Sequence, residues 1–390
     1  MKKVLIILAA IALAAIVFFL MRVGQFYSKI YDPKSNVAKK APVEKNAYNI
    51  LLLGYAGGTH DGTFLTDTMI VAHVDVKKKS VVLVSIPRDI WVKIPSKSGQ
   101  TLHTKVNTLY EMELFGNDFP DVENKNLVDN TVGAITGLPI DYFVTVDFDG
   151  FVRSVDILGG IDVNVARSFI DERYPIDGKE KDLCGKEEQF KKVERFLVEG
   201  EDSTLSAERS ALFKESPELE TFYKDLQDNP HIALPCRYEK LNFIKGFSHM
   251  DGATALKYAR SRYSAEDGGD FGRAARQQKV IEALKEKVLS IGFVPKIVPL
   301  LDELEEHIKT DMPAVQLNKF LGESTHARDY KTTNLVLTDN EWLKSARSPD
   351  GQFVLLPEEG ADKWDGVKLW IKNAINGKVI TPSPKTTPSR

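Results

Sequence analysis

The sequence lacks several of the signatures by which enzymes are commonly recognised. Only two of its 390 residues are cysteines, and neither lies in a C-x-x-C or C-x-x-H context, which argues against a zinc site. No G-x-S-x-G motif occurs, and none of the seven histidines stands in a recognisable nucleophile context, so a catalytic triad is not supported. The net charge of −3 and the absence of a basic arm argue against a nucleic-acid partner. Any anion site must therefore be local.

Long apolar runs are also scarce, and the one that occurs is at the N-terminus. Lys2 and Lys3 precede an unbroken apolar run from Val4 to Met21. At about 1.5 Å per residue, such a run just crosses a bilayer core of roughly 30 Å. No A-x-A cleavage triplet follows it, which favours an uncleaved signal anchor over a cleaved signal peptide. The two lysines predict a cytoplasmic N-terminus and an extracytoplasmic C-terminal domain of a single-pass protein of the cell membrane, although Arg22, Lys29 and Lys34 flank the other side.

The remaining composition predicts a globular body with appendages. Hydrophobic residues make up 43% and charged residues 27%, as in ordinary globular proteins. The predicted segments are a cytoplasmic tip and transmembrane anchor (1–22), a stalk linker (23–47), an extracytoplasmic domain (48–330) with an insertion at about 167–245, a C-terminal α/β extension (331–379) and a disordered tail (380–390). Within the insertion, Cys184 and Cys236 either form one disulfide or remain two buried free thiols.

The centre of the chain is predicted to be a β-hairpin. Two β-rich runs, Met69–Val76 and Val81–Ile86, are joined by three lysines, and Pro87 should end the second strand. Arg88 and Asp89 then project from its carboxyl end, where open α/β sheets usually bind ligands. Exposed charges without a function at a hairpin end are the alternative.

Other segments predict an α/β fold with at least part of the sheet parallel. The strand 141–146, the helix 148–158 and the strand 161–165 read as a βαβ unit. The remaining predicted strands are 49–53, 333–337 and 353–356, and the remaining helices are 127–136 (ended by Gly137), 194–213, 250–259, 297–308, 314–322 and 362–375.

A basic cluster follows much later in the chain. Arg260 and Arg262 are two residues apart, so on an extended segment they point the same way and suit a diphosphate clamp. A pair of solvent-facing arginines at a helix end is the alternative.

The helix that follows is predicted to be capped by Asp270, and its apolar stripe of Val280, Ile281, Leu284 and Val288 continues back to Gln277 and Arg273. Arginines near a helix N-terminus, Arg273 and Arg276 here, oppose the helix dipole. A bound anion resolves that conflict, and surface ion pairing is the alternative.

The motifs together resemble the LytR–CpsA–Psr family of cell-envelope proteins over roughly 49–289. The matching segments are NILLLG, LTDTMIVAHVD, SVVLVSIPRD, KVN, VDFDGFVRSVDILGGIDV, MDGATALKYARSRY and GDFGRAARQQKVI. The resemblance implies a mixed central β-sheet flanked by helices on both faces, preceded by one transmembrane helix. It also implies transfer of a glycan from a polyprenyl-pyrophosphate carrier to peptidoglycan. A polyprenyl-pyrophosphate hydrolase and a non-enzymatic module that binds lipid-linked glycan are the alternatives.

The resemblance also suggests roles for individual residues. Arg88 and Asp89 are the expected catalytic pair. The expected pyrophosphate ligands are Arg88, Lys105, Arg260, Arg262, Arg273, Arg276 and Gln277, with Asn107 and Asp270 in support. Asp67 is expected to hold Mg²⁺. Many members carry a second acidic residue where this chain has Tyr55, and Asp61 is the candidate substitute.

Overall fold

The computed structural model describes residues 21–32, 45–58, 62–123, 126–197, 203–290, 296–324, 327–339 and 341–378. Most of the predicted anchor (1–20) and the tail from 380 onward lie outside these residues. Within them, no helix combines the length and the apolar character that crossing a bilayer requires. Two compact units are present: the first comprises Met1–Asn164, Gly246–Arg260 and Asp270–Arg390, and the second comprises Val165–Lys245 and Ser261–Gly269.

The regular elements are numbered in chain order. Strands β1 to β14 are Ala47–Tyr55, Thr66–Asp75, Ser80–Ser85, Trp91–Ile94, Leu102–Lys105, Tyr142–Asp147, Ile161–Val165, Phe169–Pro175, Tyr238–Phe243, Gly246–Met250, Ile308–Thr310, Lys331–Val336, Leu343–Arg347 and Phe353–Pro357. Helices α1 to α12 are Leu109–Leu114, Leu127–Thr136, Phe148–Leu158, Glu187–Val193, Ser203–Glu215, Pro217–Asp228, Pro230–Ala233, Gly252–Arg260, Gly269–Val288, Ile297–Leu304, Ala314–Ser324 and Asp365–Ile375. Short 3₁₀ turns lie at Val106–Thr108, Glu194–Phe196, Pro235–Arg237 and Ala327–Asp329.

A six-stranded mixed sheet forms the centre of the first unit, with the order β11-β6-β1-β2-β3-β12. Strands β2 and β3 pair antiparallel, which confirms the predicted hairpin. The parallel pairs are β1 with β6 and β3 with β12. The prediction of a mixed α/β fold is therefore confirmed, and a strand of the C-terminal segment belongs to the sheet itself.

The predicted βαβ unit is wrong in its pairing. The two strands and the helix form where expected, but β7 pairs with β10 in a separate two-stranded sheet. The place beside β6 is taken by β11 instead, which runs antiparallel to it. A local pattern identifies a strand, whereas its partner depends on contacts that are distant in sequence.

Several element boundaries also differ from the predictions. Residue 250 ends β10, so the helix expected from there begins at Gly252, and the helix expected over 297–308 ends at Leu304 because β11 follows. In place of the helix 194–213, α4 and α5 lie on either side of 198–202, which are outside the described residues. Residues 21–30, which include the start of the expected stalk (23–47), are helical, and Ile30 is buried. Val288, expected on the apolar stripe, is 37% exposed.

The sheet buries a hydrophobic layer on each face, because side chains alternate along a strand. On one face Leu51, Val71 and Val84 pack with apolar residues of α1, α2 and α12. On the other face Ile70, Ala72 and Leu83 pack with Ile281 of α9. Helices therefore cover both faces, as expected.

The second unit has its own core and a covalent link. One cluster of buried residues, from α4, α6, α7 and the turns beside them, comprises Val193, Phe196, Leu219, Phe222, Tyr223, Ala233 and Leu234. Cys184 and Cys236 form a disulfide, so the first of the two cysteine arrangements holds. Two strands, β8 and β9, pair antiparallel beside it.

A single buried amide fixes α9 on the sheet. Gln278 is 2% exposed, and its Nε2 donates to Ser85 Oγ at 2.8 Å and to the Leu335 carbonyl at 3.0 Å. These acceptors lie on the neighbouring strands β3 and β12. The amide therefore sets how far α9 slides along the strands, and with it the position of the basic residues at the start of the helix.

We expect Gln278→Leu to lower the free energy of unfolding by about 1–3 kcal/mol, because buried acceptors lose their donor. Urea unfolding followed by circular dichroism measures the change. Gln189→Leu makes the same chemical change at an exposed position of α4 and should stay within about 0.5 kcal/mol of the parent. Equal effects of the two substitutions would contradict the anchoring role.

Candidate anion-binding site

The expected site residues of the hairpin meet at one edge of the central sheet. Because β2 and β3 are antiparallel, the start of β2 and the end of β3 lie at the same edge. The Ile86 amide donates to the Met69 carbonyl at 2.9 Å and continues this pairing past the end of β3. Asp67, the second residue of β2, and Arg88, just beyond β3, are thereby brought together.

Arg88 lies between two carboxylates. Its Nη1 donates to Asp67 Oδ1 at 2.6 Å, and its Nε is 3.5 Å from Asp89 Oδ2. Lys105 Nζ donates to the other oxygen of Asp89 at 2.7 Å. The Asp89 side chain is 8% exposed, whereas those of Arg88 and Lys105 are 25% and 20% exposed. Solvent can thus reach the cations more readily than the carboxylate that holds them.

Arg273 joins the same edge from the first turn of α9. Its side chain is 5% exposed, and its Nη2 lies 3.0 Å from Asp270 Oδ1. Its Nη1 is 4.0 Å from Asp67 Oδ1, the atom that also accepts from Arg88. Asp270, expected as the cap, lies one residue inside the helix, where its charge favours the helix dipole and offsets that of Arg273.

The mutual arrangement shifts two pKa values. Burial by itself would raise the pKa of Asp89, but the bond from Lys105 and the charges of Arg88 and Lys105 outweigh it and lower the pKa. Burial alone would lower the pKa of Arg88, yet the charges of Asp67, Asp270 and Asp89 outweigh burial and raise it. Both groups are therefore firmly ionised at neutral pH.

Two further basic residues of the first unit are held by other parts of the fold. Arg276 is 2% exposed, and its Nε donates to the Tyr258 carbonyl at 3.0 Å, which ties α9 to the last turn of α8. The guanidinium carbon of Arg260 lies 4.5 Å above the centre of the Phe148 ring, in the geometry of a cation–π contact. Gln277, on the same face of α9 as Arg273, is buried.

The expectation that Arg260 and Arg262 share one extended segment is wrong. Arg260 is the last residue of α8 and belongs to the first unit, whereas Arg262 belongs to the second. The helix of residues 252–260 continues through Arg260, so the alternation expected of an extended strand does not apply.

Asn107 supports the loop that carries Arg88. Its backbone N–H donates to the Arg88 carbonyl at 3.3 Å, and its own carbonyl accepts from Thr66 Oγ1 at 3.2 Å. The loop is thereby tied to the start of β2. Its side-chain Oδ1 is buried and accepts no hydrogen bond from the residues that the structure describes.

Tyr55 occupies the position where the family resemblance leads one to expect a second acidic residue. It is buried at the end of β1, and its ring packs against Phe64 and Tyr110 with centroid distances of 5.7 and 5.6 Å. Burial and the nearby Tyr110 and Asp147 raise its pKa, so the hydroxyl is neutral at pH 7 and offers no charge to a cation. Asp61, the candidate substitute, lies outside the described residues.

The donor set around Asp67 fits a magnesium ion that arrives with its ligand. Mg²⁺ in phosphate-processing sites is commonly held by one or two carboxylates plus substrate phosphates. In the described part of the chain, three close metal-ligating side chains occur only at Asp182, Cys184 and Cys236, whose sulfurs form the disulfide. Asp67 thus supplies one carboxylate group, which lies beside Arg88. Among the described residues it is not part of a group of three metal-ligating side chains.

The arrangement as a whole is suited to an anion with several oxygens. Arg88, Lys105 and Arg273 are held by Asp67, Asp89 and Asp270, so their positions are fixed before any ligand binds. Planar guanidinium groups bind phosphate oxygens through paired hydrogen bonds. Preorganised cations of this kind stabilise charge without reorganising during a reaction.

The positioning residues were missed by sequence reasoning. Gln278 stands next to Gln277 in an RQQ run, so the sequence does not distinguish the two amides. The hydrogen bonds of Gln278 to Ser85 and Leu335 show that its amide is the one bound to the sheet. Asp171, in β8 of the second unit, is fully buried beneath the segment 261–263, and no local sequence signal marks it.

We expect Asp89→Asn to lower the free energy of unfolding at pH 7 by about 1.5–3 kcal/mol, because hydrogen bonds to a charged group are lost. The folded-state pKa of Asp89 lies below its ordinary value of 3.8, so its contribution is complete above that value. The difference between parent and variant should vanish as the pH falls through the folded-state pKa. Urea unfolding from pH 7 to pH 2 tests this.

Asp365→Asn is the matched control, because the Asp365 side chain is 93% exposed. It should change stability by less than about 0.5 kcal/mol. A destabilisation by Asp89→Asn that persists unchanged at the lowest pH would mean that its charge is not the cause.

Two known proteins that resemble this chain are named as teichoic acid transferases. TagV of Bacillus subtilis, named a polyisoprenyl-teichoic acid–peptidoglycan teichoic acid transferase, is 27% identical over 283 residues, which are 72% of this chain and 54% of TagV. The chain thus spans about half the length of that relative. TagU of Enterococcus faecalis, with the same transferase name, is 27% identical over 392 residues, which are 97% of this chain and 99% of TagU.

Solved structures share the fold. The crystal structure of B. subtilis TagV matches with a TM-score of 0.52 at 23% identity, covering 86% of this chain and 99% of TagV. A structure of TagT bound to LIIa-WTA matches with a TM-score of 0.51 at 18% identity, covering 89% of this chain and 99% of TagT. The model of the LytR_cpsA_psr family matches residues 18–348, most of the chain. The resemblance seen in the motifs is therefore confirmed, and this chain belongs to the LytR_cpsA_psr family.

Proposed function

We propose that the chain is a phosphotransferase that moves a glycan phosphate from a polyprenyl-pyrophosphate carrier to a hydroxyl group of peptidoglycan. The names of TagV and TagU, both teichoic acid transferases that act on peptidoglycan, support an enzyme of this class. The observation that carries the proposal is the set of Arg88, Lys105 and Arg273, held by carboxylates at one edge of the sheet. Such a set fits a diphosphate better than a neutral sugar.

The proposed reaction is a displacement at phosphorus. The acceptor hydroxyl oxygen bonds to the phosphorus next to the sugar, and the bond from that phosphorus to the bridging oxygen breaks. Polyprenyl monophosphate leaves with the bridging oxygen, and the hydroxyl proton passes to solvent or to a nearby base. Phosphoryl transfer depends mainly on positioning and charge neutralisation, which arginines and lysines supply.

Two roles are open to Asp89, holding Arg88 in place or accepting the proton of the acceptor hydroxyl, and the geometry favours the first. Its carboxylate binds Lys105 and lies beside Arg88, and its pKa is lowered. A carboxylate stabilised in this way is a weaker base, since the ideal pKa of a general base is near the operating pH. We therefore assign Asp89 to holding the two cations in place and Arg88 to the pyrophosphate oxygens.

The remaining assignments are made by motif and geometry together. Arg273 reaches the site edge from α9, and Gln277 is buried one turn further along the same helix. Arg260 lies above Phe148, and Arg276 holds α9 to α8. The motifs assign Arg260, Arg276 and Gln277 to pyrophosphate. Arg262 is assigned to pyrophosphate by its R-S-R motif alone. The apolar run from Val4 to Met21 is proposed as the single-pass anchor. An extracytoplasmic location also agrees with the disulfide, since disulfides persist in oxidising compartments.

Magnesium is proposed as the cofactor, with Asp67 as a protein ligand and Asp61 as a second. When bound, the ion would neutralise charge on the diphosphate. Asp67 is held by Arg88 and lies near Arg273, which fixes the position of its carboxylate.

We expect Arg88→Ala to reduce transfer by at least about 100-fold, the usual scale for losing one preorganised donor to a developing charge. The full chain is incubated with a polyprenyl-pyrophosphate saccharide, Mg²⁺ and peptidoglycan fragments, and both products are quantified. Arg153→Ala, a variant of a guanidinium that is 58% exposed on α3, is the control and should retain activity.

The same assay separates the alternatives. Release of polyprenyl monophosphate without attachment of the sugar phosphate would indicate hydrolysis. Tight binding of the saccharide carrier without release of either product would leave a binding module and contradict the transferase.

We expect Asp67→Asn to raise the Mg²⁺ concentration for half-maximal activity by roughly tenfold, because one charged ligand is lost. Isothermal titration of Mg²⁺ in the presence of inorganic pyrophosphate should show the same shift. Asp162→Asn, at an exposed carboxylate of β7, is the control. An unchanged magnesium dependence in Asp67→Asn would remove Asp67 from the metal site.

A further inference from the structure

One carboxylate of the second unit is fully buried and lies against the segment that follows Arg260. Asp171 in β8 has no exposed surface. Its Oδ2 accepts from Ser261 Oγ at 2.6 Å, from the Arg262 amide at 3.0 Å and from the Tyr263 amide at 3.1 Å. Its Oδ1 accepts from the Arg173 amide at 2.9 Å. Two consecutive amides and a hydroxyl of one short segment thus converge on a single oxygen.

This arrangement is unusual for a residue with only a packing role. A buried charge is costly unless hydrogen bonds compensate it, so cores normally use apolar side chains at such positions. Here the three donors to Oδ2 described above all belong to residues 261–263. The carboxylate therefore specifies the conformation of that segment rather than filling space.

Arg262 is held from its other side as well. Its carbonyl accepts from the Gly269 amide at 2.7 Å. A Cβ on Gly268 would come within 2.1 Å of the Ser264 carbonyl oxygen and 2.9 Å of the Arg262 carbonyl oxygen, so the loop closes tightly only with glycine there. Both polar backbone groups of Arg262 are thus bound, one by Asp171 and one by the returning loop.

A second contact keeps this loop closed. Ser264 Oγ donates to Asp267 Oδ1 at 3.0 Å and accepts from the Asp267 amide at 3.2 Å. Asp171 and Ser264 also form an isolated antiparallel bridge. The segment 261–269 is therefore a compact loop built on β8, with Arg262 near its base.

We propose that Asp171 is a positioning residue that fixes the backbone of Arg262 and so preorganises its guanidinium for phosphate. The inference rests on the proposed function, which assigns Arg262 to pyrophosphate. It adds a residue of β8 that lies 91 positions away from Arg262 in sequence. A fixed backbone removes the backbone's share of the entropy that is lost on binding, which is how preorganisation raises affinity and rate.

The test uses Asp171→Asn in the full chain. An asparagine has one acceptor oxygen and an NH₂ group, so the donors that meet the carboxylate can no longer all be satisfied. We expect the amides of Arg262 and Tyr263 to exchange hydrogen at least tenfold faster, and kcat/KM for transfer to fall at least tenfold. In an Arg262→Ala background, Asp171→Asn should cause no further loss of kcat/KM.

Two more variants separate positioning from general stability. Ser261→Ala removes only the hydroxyl donor and should give a smaller loss of about threefold, rescued by Ser261→Thr, so the proposal stays testable if Asp171→Asn does not fold. Tyr223→Phe removes the 2.9 Å bond to the Phe196 carbonyl elsewhere in the second unit and should leave kcat/KM unchanged.

Three results would overturn the inference. Faster exchange with unchanged kcat/KM would mean that the loop conformation does not matter for catalysis. If the fold losses of kcat/KM in Asp171→Asn and Arg262→Ala multiply in the double variant, Asp171 acts other than through Arg262. If the parent chain neither transfers nor binds inorganic pyrophosphate in calorimetry, the proposed function itself fails, and the inference with it.

Discussion

The ion pair between Arg88 and Asp67 depends on the antiparallel register of β2 and β3. Residues 21 positions apart meet at 2.6 Å because one lies at the start of a strand and the other just past the end of its partner. A slip of one residue would turn the side chains of a strand to the opposite face. Because Leu83 and Val84 are buried on opposite faces, such a slip would exchange residues between two differently packed cores, so the packing of both faces protects the geometry of the site.

The second constraint is the position of α9 on the central sheet. Gln278 binds β3 and β12, so the helix brings Arg273 to the edge where Asp67 lies. Each cation there is already paired with a carboxylate, and the proposed diphosphate would have to compete with that carboxylate for the cation. The carboxylates thus hold the cations in place without a ligand, and the partial exposure of Arg88 and Lys105 leaves them accessible.

Carboxylates hold three of the basic residues that the proposed function uses. Asp89 holds Lys105, Asp270 holds Arg273, and Asp171 holds the backbone of Arg262. Such groups contribute less to net stability than apolar packing of the same volume would, but they specify one geometry. The proposed phosphotransferase reaction depends on positioning, which is a reason to retain them.

The sequence by itself determined the hairpin, most helices, the family and the residues that carry charge, because each of these depends on local patterns or short motifs. It did not determine which strands pair, since β6, β11 and β12 reach the sheet from distant segments and β7 does not join it. Nor did it separate Gln278 from Gln277 or reveal Asp171, whose roles depend on burial and on partners far along the chain. Only the tertiary structure decided these, because a hydrogen bond is defined by position in space.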